Sequence, residues 1–90
     1  MNTYNLQITT PAGVIFEDDA YQLSVRAVDG ELAILAGHIP FCTAVVCGAC
    51  RVYDGNGEVR HAEIGNGILS VLEEKTVLLT SSFKWTEPQK

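Results

Sequence analysis

Apolar and polar residues alternate along most of this chain with a period of two. Tyr4, Leu6 and Ile8 are separated by Asn5, Gln7 and Thr9, and Tyr21, Leu23, Val25 and Ala27 by Gln22, Ser24 and Arg26. Successive side chains of a strand point to opposite faces, so each stretch predicts a strand with one face buried. Val14–Phe16 reads as a further short strand after the Pro11-Ala12-Gly13 turn. Glu31–Leu35 and Cys42–Val46 are apolar runs too short for helices. Ile68–Leu72 and Thr76–Ser82 follow, divided by Glu73-Glu74-Lys75.

Turn signals separate these runs. Asp54-Gly55-Asn56-Gly57 holds Asp-Gly and Asn-Gly, which supply the positive φ of a tight hairpin, and predicts a link from Ala49–Tyr53 to Glu58–Ile64. Gly65-Asn66-Gly67 makes a second break. No segment sustains a 3.6-residue period, and no internal repeat occurs. Turns every 8–12 residues between short strands predict an all-β fold, a small β-sandwich or barrel of about eight to ten strands. The expected sandwich runs over 1–83, with 84–90 as a polar surface tail.

Composition adds a second expectation. Hydrophobic residues make up 47% of the 90 positions. A chain this short buries only about 60–70% of the surface that its unfolded form exposes, so part of this apolar surface is expected to meet a partner. The net charge is −5, and the six basic residues are scattered. No basic stripe exists to neutralise phosphates or anionic lipid, which argues against nucleic-acid binding and electrostatic membrane docking. The start lacks the pattern of a signal peptide, and no apolar run approaches the roughly 20 residues of a membrane span. Three cysteines cannot pair evenly, so reduced thiols in a cytosolic setting are expected.

The chemistry-bearing residues are weighed against spacing. Cys47-Gly48-Ala49-Cys50 has the spacing of one half of a zinc site, and Cys42, His38 and His61 could complete four ligands. The spacing matches no standard second pair, however, and the cysteines fall on strand-like runs with different facing. A redox pair requires a helix start beside a βαβ unit, and none is present. The plainer reading makes them small buried residues. His38 sits in a Gly37-His38-Ile39-Pro40 turn without a nucleophile elbow or a carboxylate partner, so no catalytic residue is assigned. Asp18-Asp19 and Glu73-Glu74 are sequence neighbours, which face apart on a strand and face water in a turn. No phosphate-binding glycine motif occurs, and no cofactor or metal is assigned.

The order of the motifs carries more than any one of them. Tyr4–Val25 "YNLQITTPAGVIFEDDAYQLSV", Asp29–Phe41 "DGELAILAGHIPF" and Cys47–Ser82 "CGACRVYDGNGEVRHAEIGNGILSVLEEKTVLLTSS" together resemble the epsilon subunit of F-type ATP synthases, specifically its N-terminal β-sandwich. The most specific element is G-E-x-x-I-L-x-G-H-x-P, Gly30 to Pro40, and Gly65–Val71 supports it. The chain departs from the family pattern at Ala33, where glycine is common. Ala36 and Cys47 replace prolines, and Asn66 interrupts a double glycine. These are mostly turn positions.

The resemblance implies a non-catalytic rotor subunit wedged between the gamma subunit of the central stalk and the c-ring. It places Thr10, His38 and Thr43 near gamma, and Asp29, Gly30 and Glu31 near polar loops of the c subunits. It implies a peripheral subunit on the cytoplasmic face of a bacterial membrane, in an enzyme coupled to H⁺ or Na⁺ transport, without insertion into the membrane. Family members continue into a C-terminal helical hairpin. This chain stops at Lys90, so a short form without that inhibitory arm is expected. A reading from another class stands beside it: a free-standing metal- or redox-binding, or protein-binding, sandwich using Cys42, Cys47 and Cys50.

Overall fold

A computed structural model describes residues 2–37 and 39–86. The described residues form nine strands in chain order: β1 Tyr4–Thr10, β2 Gly13–Ala27, β3 Gly30–Leu35, β4 Phe41–Val45, β5 Gly48–Asp54, β6 Val59–Ile64, β7 Gly67–Val71, β8 Lys75–Thr80 and β9 Phe83–Trp85. The all-β expectation and the strand count both hold.

Two differences from the sequence reading have physical causes. Val14–Phe16 and Tyr21–Ala27 belong to one 15-residue strand, β2. The intervening Glu17-Asp18-Asp19 is hydrophilic, but its backbone continues the ladder, opposite Gln7, Leu6 and Asn5 of β1. Polar side chains facing water do not interrupt backbone pairing. At the other end, β9 pairs Phe83, Lys84 and Trp85 with Ile64, Glu63 and Ala62 of β6, so the sheet continues past residue 83.

The length of β2 lets it serve two layers. Its first half pairs β1, which continues through β8 and β7 to β4; only the β1–β8 pairing is parallel. Its second half lies between β3 and β5, and that layer continues through β6 to β9. A single pairing, Ala27 with Val45, joins the layers again at the far corner.

The inner faces close on one core. Leu6, Ile8, Leu69 and Leu78 of the first layer are fully buried, as are Leu23, Val25 and Val52 of the second. Each large side chain buried in this way stabilises the fold by about 1.5–3 kcal/mol of transfer free energy. The alternation read from the sequence is therefore the alternation between this core and the two outer faces.

The Asp54–Gly57 hairpin forms as expected, in a different turn type. Gly57 N–H donates to Asp54 O at 3.0 Å, and Asp54 Oδ1 accepts from the amides of Asn56 and Glu58. Within this hairpin only Gly57 takes positive φ, at +86°. This is a turn followed by a left-handed residue rather than a two-residue loop with both positions left-handed.

Candidate partner-binding surface

The two outer faces differ in chemistry. On the first layer one cross-strand row runs from Ala44 to Ile68, Leu79, Thr9 and Val14. Ile68, Leu79 and Val14 are 43%, 47% and 55% exposed. The next row, Cys42, Ser70, Val77 and Gln7, is also uncharged and ends on Glu17. Charge gathers at that border, where Lys75 Nζ lies 3.6 Å from Glu17 Oε2. The outer face of the second layer carries Glu31, Arg26, Arg51, His61, Glu63 and Lys84 on neighbouring strands. The first face is uncharged along two neighbouring rows up to Glu17, whereas the second mixes its charges with one uncharged row, Leu35, Gln22, Tyr53 and Val59, in which Leu35 and Val59 are 46% and 42% exposed.

The residues implied as gamma contacts fall in different settings. Thr10 ends β1, and its Oγ1 accepts from Ala12 N–H at 3.2 Å, pinning the turn into β2. Thr43 is half-buried and shares the inward side of β4 with Phe41 and Val45, while Cys42 and Ala44 point outward. His38 lies outside the described residues.

The implied c-ring contacts form the β2–β3 hairpin. Ala27 pairs Gly30, leaving Val28 and Asp29 as an exposed two-residue turn. Gly30 adopts φ +128°, which admits glycine and disfavours other residues. Glu31 is already on β3, with Oε2 3.3 Å from Arg51 Nη2. Val28 of this turn is 64% exposed, and the sequence reading did not select it. The Val45–Ala27, Val45–Gly67 and Gly67–Thr80 pairings bring this hairpin to the same end of the sandwich as Thr10.

That end is tied together by a contact that no local pattern announced. Asn66 Oδ1 accepts from Cys47 N–H at 2.8 Å, and Asn66 O accepts from Ser81 N–H. Thr80 Oγ1 lies 2.9 Å from Gly65 O and 3.0 Å from Ser82 O, so its single proton is within reach of either loop. Three connections thereby hold one another: β4–β5, β6–β7 and β8–β9.

The cysteines do not converge. Cys42 is exposed on β4, with Sγ 3.7 Å from Ser70 Oγ; Cys47 is exposed between β4 and β5; Cys50 is buried in β5. Burial pushes the Cys50 thiol up to about 12, only partly offset by the neighbouring Arg51 charge. That shift is opposite to what a metal-binding or nucleophilic thiol requires. Among the described residues no group of three His, Cys, Asp or Glu is placed to hold a metal ion.

Residues 3–86 match the sequence profile of the family described as ATP synthase, Delta/Epsilon chain, beta-sandwich domain. The chain belongs to this family. It is 38% identical to the ATP synthase epsilon chain of Caldicellulosiruptor saccharolyticus over 97% of its own length and 63% of that protein. It is 34% identical to the sodium ion specific ATP synthase epsilon chain of Acetobacterium woodii, over 94% of its length and 64% of the relative. The chain therefore spans under two thirds of these relatives. A chain in the mitochondrial ATP synthase of Euglena gracilis shares the fold, with a TM-score of 0.87 at 20% identity, covering 92% of this chain and 53% of that one.

Membership gives the apolar face a context. This delta/epsilon-type sandwich carries an uncharged outer face and, at one end, a hairpin with an exposed Val28-Asp29 tip. Both are surfaces on which another protein can sit.

Proposed function

We propose that this chain is the sandwich portion of an F-type ATP synthase epsilon subunit, a non-catalytic rotor component seated between the gamma subunit and the c-ring. The observation that carries the reading is the uncharged row Ala44–Ile68–Leu79–Thr9–Val14, on the outside of a domain of this family. Exposed rows of this kind mark protein interfaces, because water gains by their burial. A two-layer sandwich with a single dense core is stiff, so a contact on one face can transmit torque to a contact at one end.

In this reading gamma covers the apolar face, with Thr10, Thr43 and His38 assigned to the same contact. The Asp29-Gly30-Glu31 hairpin faces the polar loops of the c subunits. The site is the cytoplasmic face of a bacterial cell membrane, as a peripheral part of the synthase. No cofactor is required. The alternative of a metal- or redox-binding module is disfavoured by the divergent cysteines and the raised Cys50 thiol.

Gel filtration of the chain mixed with gamma from the same organism tests the reading. Co-elution at micromolar concentration is expected. Separate elution overturns it.

A further inference from the structure

A shallow depression of about 320 Å³ opens where the apolar face meets the Thr10 end of the sandwich. This is the space of about ten liquid waters. Thr9 and Pro11 line it from one side and Leu79 from the other, with Gly67 contributing bare backbone. No charged residue lines it. Leu79 is also the middle of the apolar row, so the depression continues the uncharged surface rather than standing apart from it.

Three of the polar side-chain atoms around the depression are already engaged. Thr10 Oγ1 accepts from the Ala12 amide at 3.2 Å. Thr80 Oγ1 is 2.9 Å from Gly65 O. Asn66 Oδ1 is held by Cys47 N–H. An apolar group entering here leaves these hydrogen bonds intact, whereas a charged group would be desolvated without a charged partner. The same hydrogen bonds hold the walls in place before any partner arrives, which lowers the ordering cost of binding.

We propose that this depression is the anchor socket of the gamma-facing interface, receiving one bulky, uncharged side chain of the gamma subunit. The inference rests on the rotor reading above and assigns its affinity to a place. Interface energy concentrates where a large side chain fills a desolvated pocket inside a ring of weaker contacts. Thr9, Leu79 and Pro11 are the residues that shape the socket, and Ile68 belongs to the surrounding face.

Titration of gamma against the intact chain and three variants tests the proposal, with thermal melts checking each fold. Thr9→Phe fills the socket from its own wall and is expected to weaken gamma binding at least tenfold. Thr9→Val keeps the shape without the hydroxyl and is expected to retain the affinity. Ile68→Asp places a charge on the face outside the socket and is expected to abolish binding. If Thr9→Phe fails to fold, Ser81→Trp fills the socket from the opposite rim and is expected to give the same tenfold loss.

Full affinity in a folded, socket-filled variant, with Ile68→Asp inactive, overturns the socket and leaves the rotor reading standing. Full affinity in all variants overturns both. Sedimentation of the chain alone distinguishes the other occupant. A dimer that Thr9→Phe converts to monomer, with gamma binding unaffected, would make the socket a self-association site and overturn the proposal.

Discussion

Arg51 and Glu31 form an ion pair, Nη2 to Oε2 at 3.3 Å, that spans β2 from β5 to β3. The family resemblance places Glu31 near polar loops of the c subunits. In the fold, its carboxylate is already held by a residue 20 positions away. Asp29 keeps the exposed position at the turn, with no ion pair among the described residues.

The pair has little effect on stability. The two side chains are 40% and 62% exposed, and exposed pairs contribute about 0–1 kcal/mol. Glu31→Gln is expected to lower unfolding free energy by under about 1 kcal/mol in urea titration. That difference should vanish near 1 M salt, where the Debye length falls to about 3 Å. In the rotor reading, Asp29→Asn is then expected to weaken the c-ring contact more than Glu31→Gln, measured by binding of detergent-solubilised c-ring.

The hairpin glycines are not equivalent. Gly57 sits at φ +86°, whereas Gly55 has ordinary φ and a methyl group there would meet nothing closer than 3.9 Å. Gly57→Ala is expected to cost about 1–2 kcal/mol for a left-handed alanine, and Gly55→Ala to be near neutral or slightly stabilising. Denaturant midpoints of the two variants check this. Equal losses would refute the turn assignment.

Gly67 is constrained by contact rather than by φ. A Cβ there would overlap the carbonyl oxygen of Leu79 and the Cα of Thr80, both backbone atoms of the paired strand. Gly67→Ala is expected to cost at least about 1–3 kcal/mol as an overpacked site, read as a fall in Tm. It should also disturb the wall of the proposed socket.

Cys50 links the fold to alkaline pH. Its thiol is raised by burial from 9.0 to about 12 in the folded chain. The folded state therefore holds a proton that the unfolded state releases as pH rises past 9. This contribution is fully present below pH 9 and is lost between about 9 and 12, at roughly 1.4 kcal/mol per pH unit. Cys50→Ala is expected to flatten the alkaline part of the stability profile. Some slope remains, because burial also raises the Tyr4 phenol, whose hydroxyl donates to Ile34 O at 2.8 Å. Thiol titration of the native chain should show fast reaction at exposed Cys42 and Cys47, and reaction at Cys50 only on unfolding.

Trp85 fastens the last strand. Its ring packs edge-on against Phe83 at 4.8 Å and Phe16 at 5.9 Å, with the Arg60 guanidinium 3.8 Å above it. Trp85→Ala is expected to destabilise by about 1–3 kcal/mol. It is the only tryptophan, so in the native chain its fluorescence reports directly on β9.

Much of this molecule was legible from order and period alone. Alternation marked Leu6, Ile8, Leu23 and Val25 as buried, because a strand with one wet face must place every second residue inside. The turn residues marked the hairpins, since few residues tolerate the backbone angles that turns impose. The motif series pointed to the family. Other features depend on residues far apart in the chain, and no local pattern encodes them. The continuity of β2 through Glu17-Asp18-Asp19 required β1 alongside it. The pairing of Glu31 with Arg51, the Asn66 tie to Cys47 and the burial of Cys50 beside exposed Cys42 and Cys47 came only with the folded layers. Period two states that residues alternate between faces; which outer face is apolar is settled by which strands lie side by side. Ile68, Leu79, Thr9 and Val14 are scattered across four strands and become one surface only when register aligns them.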